Sequence, residues 1–353
     1  MASAKILTDK QTNRQTDKQT DRQHYPVVDL LKYICALLVV SIHIAPLSSF
    51  FEVIPLTKYL NYGIQNYIAR LAVPFYFAAA GFFLFRKIDF NNFDISITKN
   101  YIIKLLRLLG VWTVLLFVGG TVHLWYMGGL VVAVCVLSVL LCKQVSLKKM
   151  IVIALFLYIF GLLGDPYFGL FKILQNYKAV KYATKAYFVI FGTTRNGLFM
   201  GFPFLLLGGV IEKKKVSMKP LYAAVGFILS MLLLLCEAVL IKKYDLPKDV
   251  NMYFFLVPAI FFLLVFAVNV RVQQGGIFFR ILRNISIIVY FSHMFVYQWI
   301  AWGWKAVDRL FGINFDNSLI NYLLTVVIAT ILGILIDRIS KKEKWSFLKY
   351  LYA

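Results

Sequence analysis

The sequence predicts an all-α protein: a polytopic transmembrane helical bundle of about ten spans with both termini cytoplasmic. Three observations carry this expectation. Of the 353 residues, 61% are hydrophobic, 17% aromatic and only 15% charged, and the mean hydropathy is +0.75. Soluble domains are about half apolar and about a quarter charged, so this excess has no use in water. After Asp29, apolar runs recur at close to the ~20 residues that a membrane-crossing helix needs. Finally, basic residues punctuate those runs unevenly. With the N-terminus in the cytoplasm, 26 of the 38 Lys and Arg residues fall on cytoplasmic segments, as the positive-inside rule expects. An odd number of spans would break that alternation. The net charge of +22 is therefore read as membrane orientation, and no nucleic-acid partner is expected.

The elements follow in order. Residues 1–28 include KQTNRQTDKQTDRQ, a near-tandem repeat of a four-residue polar unit, and with no apolar face to bury they read as a disordered cytoplasmic tail. No apolar stretch with a small-residue cleavage site follows closely, so the tail is not a signal peptide. A transmembrane domain is expected over 29–340, with spans near 29–50, 66–86, 101–121, 124–142, 149–165, 196–212, 219–241, 252–270, 284–304 and 318–338. Residues 341–353 read as a short basic cytoplasmic tail. The longest outside connection, 166–195, contains YKAVKYATKAYFVIFG; it can lie on the membrane surface as an amphipathic helix or fold over the bundle as a lid. No internal repeat is evident, which disfavours inverted-repeat transporter architectures. Cys35, Cys135, Cys142 and Cys236 sit in or at the ends of apolar runs without metal-ligand spacing, so packing roles and no metal are expected.

Polar residues inside apolar runs are candidates by default, since an unpaired polar group in hydrocarbon costs several kcal/mol. His43, in DLLKYICALLVVSIHIAP, lies fourteen residues after Asp29, which is about 21 Å along a helix. It suits a general base; a structural hydrogen bond is the alternative. His293 shares related helical faces with Ser286 and Tyr290 and reads as part of a packing network. His123 and Trp125 open HLWYMGGL at the outer end of a span, where aromatics also serve as interface anchors. Arg195 and Asn196 open RNGLFMGFPFLLLGG; the arginine can hold an anionic or carbonyl-bearing substrate, or snorkel. With Arg70, Asp165, Glu237 and His43 they could line one outward-facing polar cavity. On the inner side Lys32, Arg86, Lys87, Lys104 and Arg107 form a basic cluster, read either as headgroup contact or as a pocket for a phosphate-bearing donor. His24, in the tail, is given no role.

In this order, these motifs resemble the acyltransferase-3 family of bacterial membrane proteins from about Asp29 to the last run. Asp29, Lys32 and His43 resemble the family's D-x-L-R-x(10)-H pattern, and VPFYFAAAGFFLFRK its second span. IIKLLRLL resembles its Arg-x-x-Arg pair, with Lys104 first and Arg107 second; HLWYMGGL and SIIVYFSH resemble two later motifs. The resemblance implies transfer of an acyl group, usually acetyl from acetyl-CoA, to a hydroxyl of an extracytoplasmic glycan or other cell-envelope acceptor. It implies His43 and Asp29 as catalytic residues, and Lys32, Lys104 and Arg107 as donor-binding residues. Arg195, Asn196, His123, Trp125 and Glu237 are taken as the acceptor site. Acyl-CoA enters as co-substrate, with no bound cofactor. Membrane lipids and a small-molecule or glycan acceptor are the expected partners, a homodimer the assembly to test, and the bacterial plasma membrane the location. Lysine stands in the arginine place at Lys32 and Lys104, which keeps the charge and loses the bidentate fork. No esterase-like domain follows the last run, which places the expected catalysis inside the bundle.

HIAPL, IARLAVPFYFAAAGFFLF and TTRNGLF with GFPFLLLGG also resemble the membrane half of vancomycin-resistance serine/alanine racemases. That resemblance implies an alternative, a domain that binds or transports a small amino acid such as L-serine, with Arg195 pairing its carboxylate beside Asn196 and His43.

Overall fold

A computed structural model describes residues 24–116, 124–174, 176–272, 276–312 and 316–352. The first helix, α1 (Pro26–Ile44), starts on a proline whose fixed φ suits a first turn and stops at Ala45 in the left-handed region, φ 51°. Its start lies inside the segment expected as tail. Helix α2 (Leu56–Asn66) and a 3-10 turn (Ile68–Leu71) lead into α3 (Ala72–Phe85). Asp94 caps α4 (Ile95–Leu115), accepting from the Ser96 amide at 2.8 Å. There follow α5 (Trp125–Cys142), α6 (Leu147–Leu163), α7 (Gly169–Leu174) and α8 (Lys178–Phe191). A π-turn (Gly197–Gly201) runs into α9 (Phe202–Lys213). The remaining helices are α10 (Pro220–Lys243), α11 (Leu256–Asn269), the 36-residue α12 (Gly276–Phe311) and α13 (Ser318–Ile339). A 3-10 segment (Glu343–Leu351) ends the described chain.

Every described element of regular structure is helical. Six stretches are long and apolar enough to cross a membrane: Pro26–Ile44, Leu56–Phe85, Trp125–Cys142, Pro220–Lys243, Gly276–Phe311 and Ser318–Ile339. The other expected spans fall on helices that miss this measure for physical reasons. α4 carries Lys99, Lys104 and Arg107, α6 has 17 residues and α11 has 14, and 196–212 is split between the π-turn and α9.

Packing places α1 at the centre, against α12, α3 and α13. α3 crosses α9 at two glycines. A Cβ on Gly81 would fall 1.8 Å from the Leu205 carbonyl oxygen, and one on Gly208 would fall 1.7 Å from that of Ala78. Such backbone approach needs residues without side chains, the usual device of helices that pack in hydrocarbon. Gly197 meets Gly129 the same way and seats the π-turn on α5. The core is aromatic: Phe75, Phe77, Phe199, Phe202, Phe204 and Phe291 are buried. Outward faces are also apolar, with Phe156, Leu221 and Ile228 exposed, a pattern suited to lipid and costly in water.

Residues 343–352 do not hang free as a tail. Trp112 Nε1 donates to the Leu351 carbonyl at 3.0 Å, the Tyr352 and Ser340 hydroxyls lie 2.7 Å apart, and the Arg107 guanidinium stacks 4.6 Å from the centre of the Tyr350 ring.

Candidate functional site

Helix α1 carries candidates at both ends, and the structure keeps them apart. Asp29 is buried near the first turn, where His24 Nε2 lies 2.8 Å from its Oδ2. A residue given no role from sequence thus partners one of the two expected catalytic groups. His43 sits in the last turn, fourteen residues on, which is about 21 Å away. Its ring faces His293 of α12, with centroids 5.2 Å apart. His293 is fully buried, and its Nδ1 lies 2.7 Å from the Tyr290 carbonyl and 3.2 Å from that of Val289. Both neighbours are acceptors, so Nδ1 carries a proton.

His43 lines a cavity of about 70 Å³ with Arg70, Trp125, Arg195, Asn251 and Tyr290. The orientation of this arginine cavity is fixed from behind. Beyond the end of α6, Asp165 takes the Asn251 amide N–H at 2.9 Å and the Met252 amide N–H at 3.3 Å, and its other oxygen takes Asn251 Nδ2–H at 3.0 Å. The side-chain oxygen of Asn251 must then point the other way. It accepts from Arg70 Nη1 at 2.7 Å and Arg195 Nη1 at 3.1 Å. Arg70 Nη2 donates to Asn66 Oδ1 at 2.8 Å, and the Arg195 guanidinium lies 5.0 Å from the centre of the Trp125 ring.

A second cavity, of about 570 Å³, opens toward the Asp29 end. Lys32, Lys87, Lys104 and Arg283 line it with Asn100, and among the described residues no carboxylate does. Tyr76 donates to the Lys32 carbonyl at 2.6 Å, and Lys32 Nζ lies 4.7 Å from the centre of the Phe83 ring. Where this lysine cavity meets the arginine cavity stand Tyr76, Tyr126 and Tyr290, with centroids 5.6, 5.7 and 5.9 Å apart. Tyr290 is the residue common to both linings.

Against the sequence expectations, the structure brings His43, Arg195 and Trp125 together at one cavity and Lys32 and Lys104 together at the other. It does not bring the rest. Asn196 is consumed as a cap, accepting from the Leu198 and Phe199 amides at 2.9 and 3.0 Å. Glu237 lies outside both linings and takes the amides of Phe254 and Phe255 and the Tyr167 hydroxyl, fixing the start of α11. Arg107 faces the C-terminal segment. His123 lies outside the described residues. Sequence reasoning grouped Arg70 with His43 and Arg195 around one polar cavity, which all three line, and gave no site role to Asn251, Arg283, Tyr76 and Tyr126. Asn251 carries no charge and sits in a polar loop, so nothing in its neighbourhood marks it out.

Comparison with known proteins agrees with the motif reading. The acyltransferase-3 family model, described as an acyltransferase domain, matches residues 25–122, which contain Asp29, Lys32, His43, Arg70 and Lys104. A serine/alanine racemase of Enterococcus gallinarum is 27% identical over 344 residues, 90% of this chain and 46% of that protein. An amino-acid racemase of Enterococcus faecalis is 27% identical over 350 residues, 91% of this chain and 47% of that protein. The chain therefore spans about half the length of the curated relatives it matches. No solved structure matches it. The chain is thus similar to acyltransferase-3 proteins through its first spans and to the enterococcal racemases along nine-tenths of its length.

Proposed function

We propose that this protein is a membrane-bound acyltransferase that moves an acyl group, acetyl in the simplest case, from a cytosolic acyl-CoA to a hydroxyl of an extracytoplasmic acceptor of the cell envelope. The observation that carries the reading is the pair of cavities that abut at Tyr290, with four cations on one side and His43 on the other. In this reading the ten apolar runs all cross the bacterial plasma membrane, both termini are cytoplasmic, and the lysine cavity faces the cytosol.

Lys32, Lys87, Lys104 and Arg283 suit the phosphates of the donor, since clustered cations in a partly desolvated cavity favour multiply charged anions. The acyl thioester then has to reach Tyr290 from one side and the acceptor hydroxyl from the other. The hydroxyl gives its proton to a ring nitrogen of His43, its oxygen bonds to the acyl carbon, the carbon–sulfur bond breaks, and the thiol leaves with a proton returned to sulfur. Asp29 serves the donor end here, well away from the reacting atoms.

Purified protein incubated with acetyl-CoA labelled in the acetyl group tests this. Wild type is expected to cleave the thioester, and His43→Ala to lose about 100-fold or more, the usual worth of a general base. The relatives' names favour one second reading, in which the arginine cavity binds a small amino acid for passage across the membrane. Saturable uptake of labelled L-serine without thioester cleavage would put that reading in place of transfer.

A further inference from the structure

The arginine cavity is more cationic than its partners account for. Arg70 Nη1 and Arg195 Nη1 end on the same acceptor, Asn251 Oδ1, and Arg70 Nη2 ends on Asn66 Oδ1. Arg70 Nε is buried and makes no hydrogen bond. No carboxylate lines the cavity, and among the described residues neither guanidinium is in an ion pair. The buried Asp165 stands one residue behind, with both oxygens occupied by Asn251 and Met252. Amide oxygens satisfy donors and neutralise no charge. Asp249 and Asp165 act on Arg70 only from a distance, so two converging guanidiniums lack a carboxylate in direct contact, and an anion that accepts from both supplies one.

The shape narrows the class. The cavity, about 70 Å³, is small and suits the reacting end of a molecule. Guanidinium forks match the two coplanar oxygens of a carboxylate. His43 lines the same small space, which brings whatever is attached to that carboxylate to the imidazole.

Resting on the transfer reading, we propose that the acceptor carries a carboxylate next to its reacting hydroxyl, gripped by Arg70 and Arg195 so that the hydroxyl lies against His43. Acidic sugars and small hydroxy acids share this chemistry. Neutral sugars lack it.

The test keeps binding and chemistry apart. The protein in lipid nanodiscs is titrated calorimetrically with glycerate, with its uncharged amide, and with inorganic phosphate. Cleavage of acetyl-CoA is followed in parallel. The carboxylate is expected to bind about 10- to 100-fold more tightly than the amide, the range for a charge-assisted hydrogen-bonded pair. Arg195→Gln and Arg70→Gln should abolish that preference, and Arg280→Gln, at an exposed arginine on another helix, should keep it. The ligand comparison needs no variant, so misfolding of an arginine variant does not remove the test. Equal binding of acid and amide, or binding of phosphate alone, overturns the proposal. Carboxylate preference without thioester cleavage upholds the anion site and sinks transfer; cleavage that carboxylates neither speed nor inhibit upholds transfer and sinks the anion site.

Discussion

Asn251 decides where two arginines point, because Asp165 holds its amide nitrogen and leaves only its oxygen for Arg70 and Arg195. Replacing it by leucine leaves one oxygen of the buried Asp165 carboxylate and one donor of each guanidinium without a partner at once. Asn251→Leu is expected to cost about 3 kcal/mol, read as a lowered melting temperature, because each lost buried partner is worth about 1–3 kcal/mol. The residues legible from sequence were the exceptions within apolar runs: His43, Lys32, Lys104, Arg195 and Trp125 all line a cavity. Asn251 and Tyr290 were less legible, because an amide in a polar loop and an aromatic among aromatics make no contrast with their neighbours.

Helices α3 and α9 touch through backbone, and that contact has no slack. A methyl group at Gly208 would meet the Ala78 carbonyl at 1.7 Å, and neither backbone can move aside without unseating Phe82 and Phe85. Gly208→Ala is expected to destabilise by more than the ~1–3 kcal/mol usual for overpacking. Detergent-resistant fold, read by size-exclusion elution and thermal melting, is the measurement. Each apolar run seen in the sequence falls on a helix, because helix is the local answer to hydrocarbon. What periodicity could not give was the break at 197–213. There Asn196 caps a π-turn before Pro203 restarts the α-helix. The C-terminal 343–351 segment was also hidden, since its lysines read as a tail while the contacts that hold it run through the Leu351 carbonyl, the Tyr350 ring and the Tyr352 hydroxyl. Trp112→Phe removes the hydrogen bond to Leu351, and limited proteolysis near residue 345 should accelerate while the rest of the chain resists.

At the scale of the molecule, the two cavities share one lining residue, Tyr290. If acyl transfer passes it, Tyr290→Phe should leave thioester cleavage within about tenfold of wild type, since it removes only the hydroxyl. Tyr290→Ala should join the cavities and let water compete, seen as acetyl-CoA hydrolysis without acceptor. The bundle's cavities were not legible in the sequence, because they depend on which helices meet, and hydropathy carries no neighbour information. One dimension of the bundle reaches beyond the chain itself. The 36 residues of α12 extend about 54 Å, against a hydrocarbon layer of about 30 Å. None of its residues after Val296 is fully buried, and its far end is tied to α13 by Trp304 Nε1, which donates to Asn321 Oδ1 at 2.7 Å, so a change in membrane thickness has to tilt the two helices together. His293 rides on this helix opposite His43. Tilt in α12 therefore changes the spacing of the two histidines, which makes the acyl-chain length of the surrounding phospholipid an input to the site. Thioester turnover should peak in bilayers of one thickness and decline in both thinner and thicker ones.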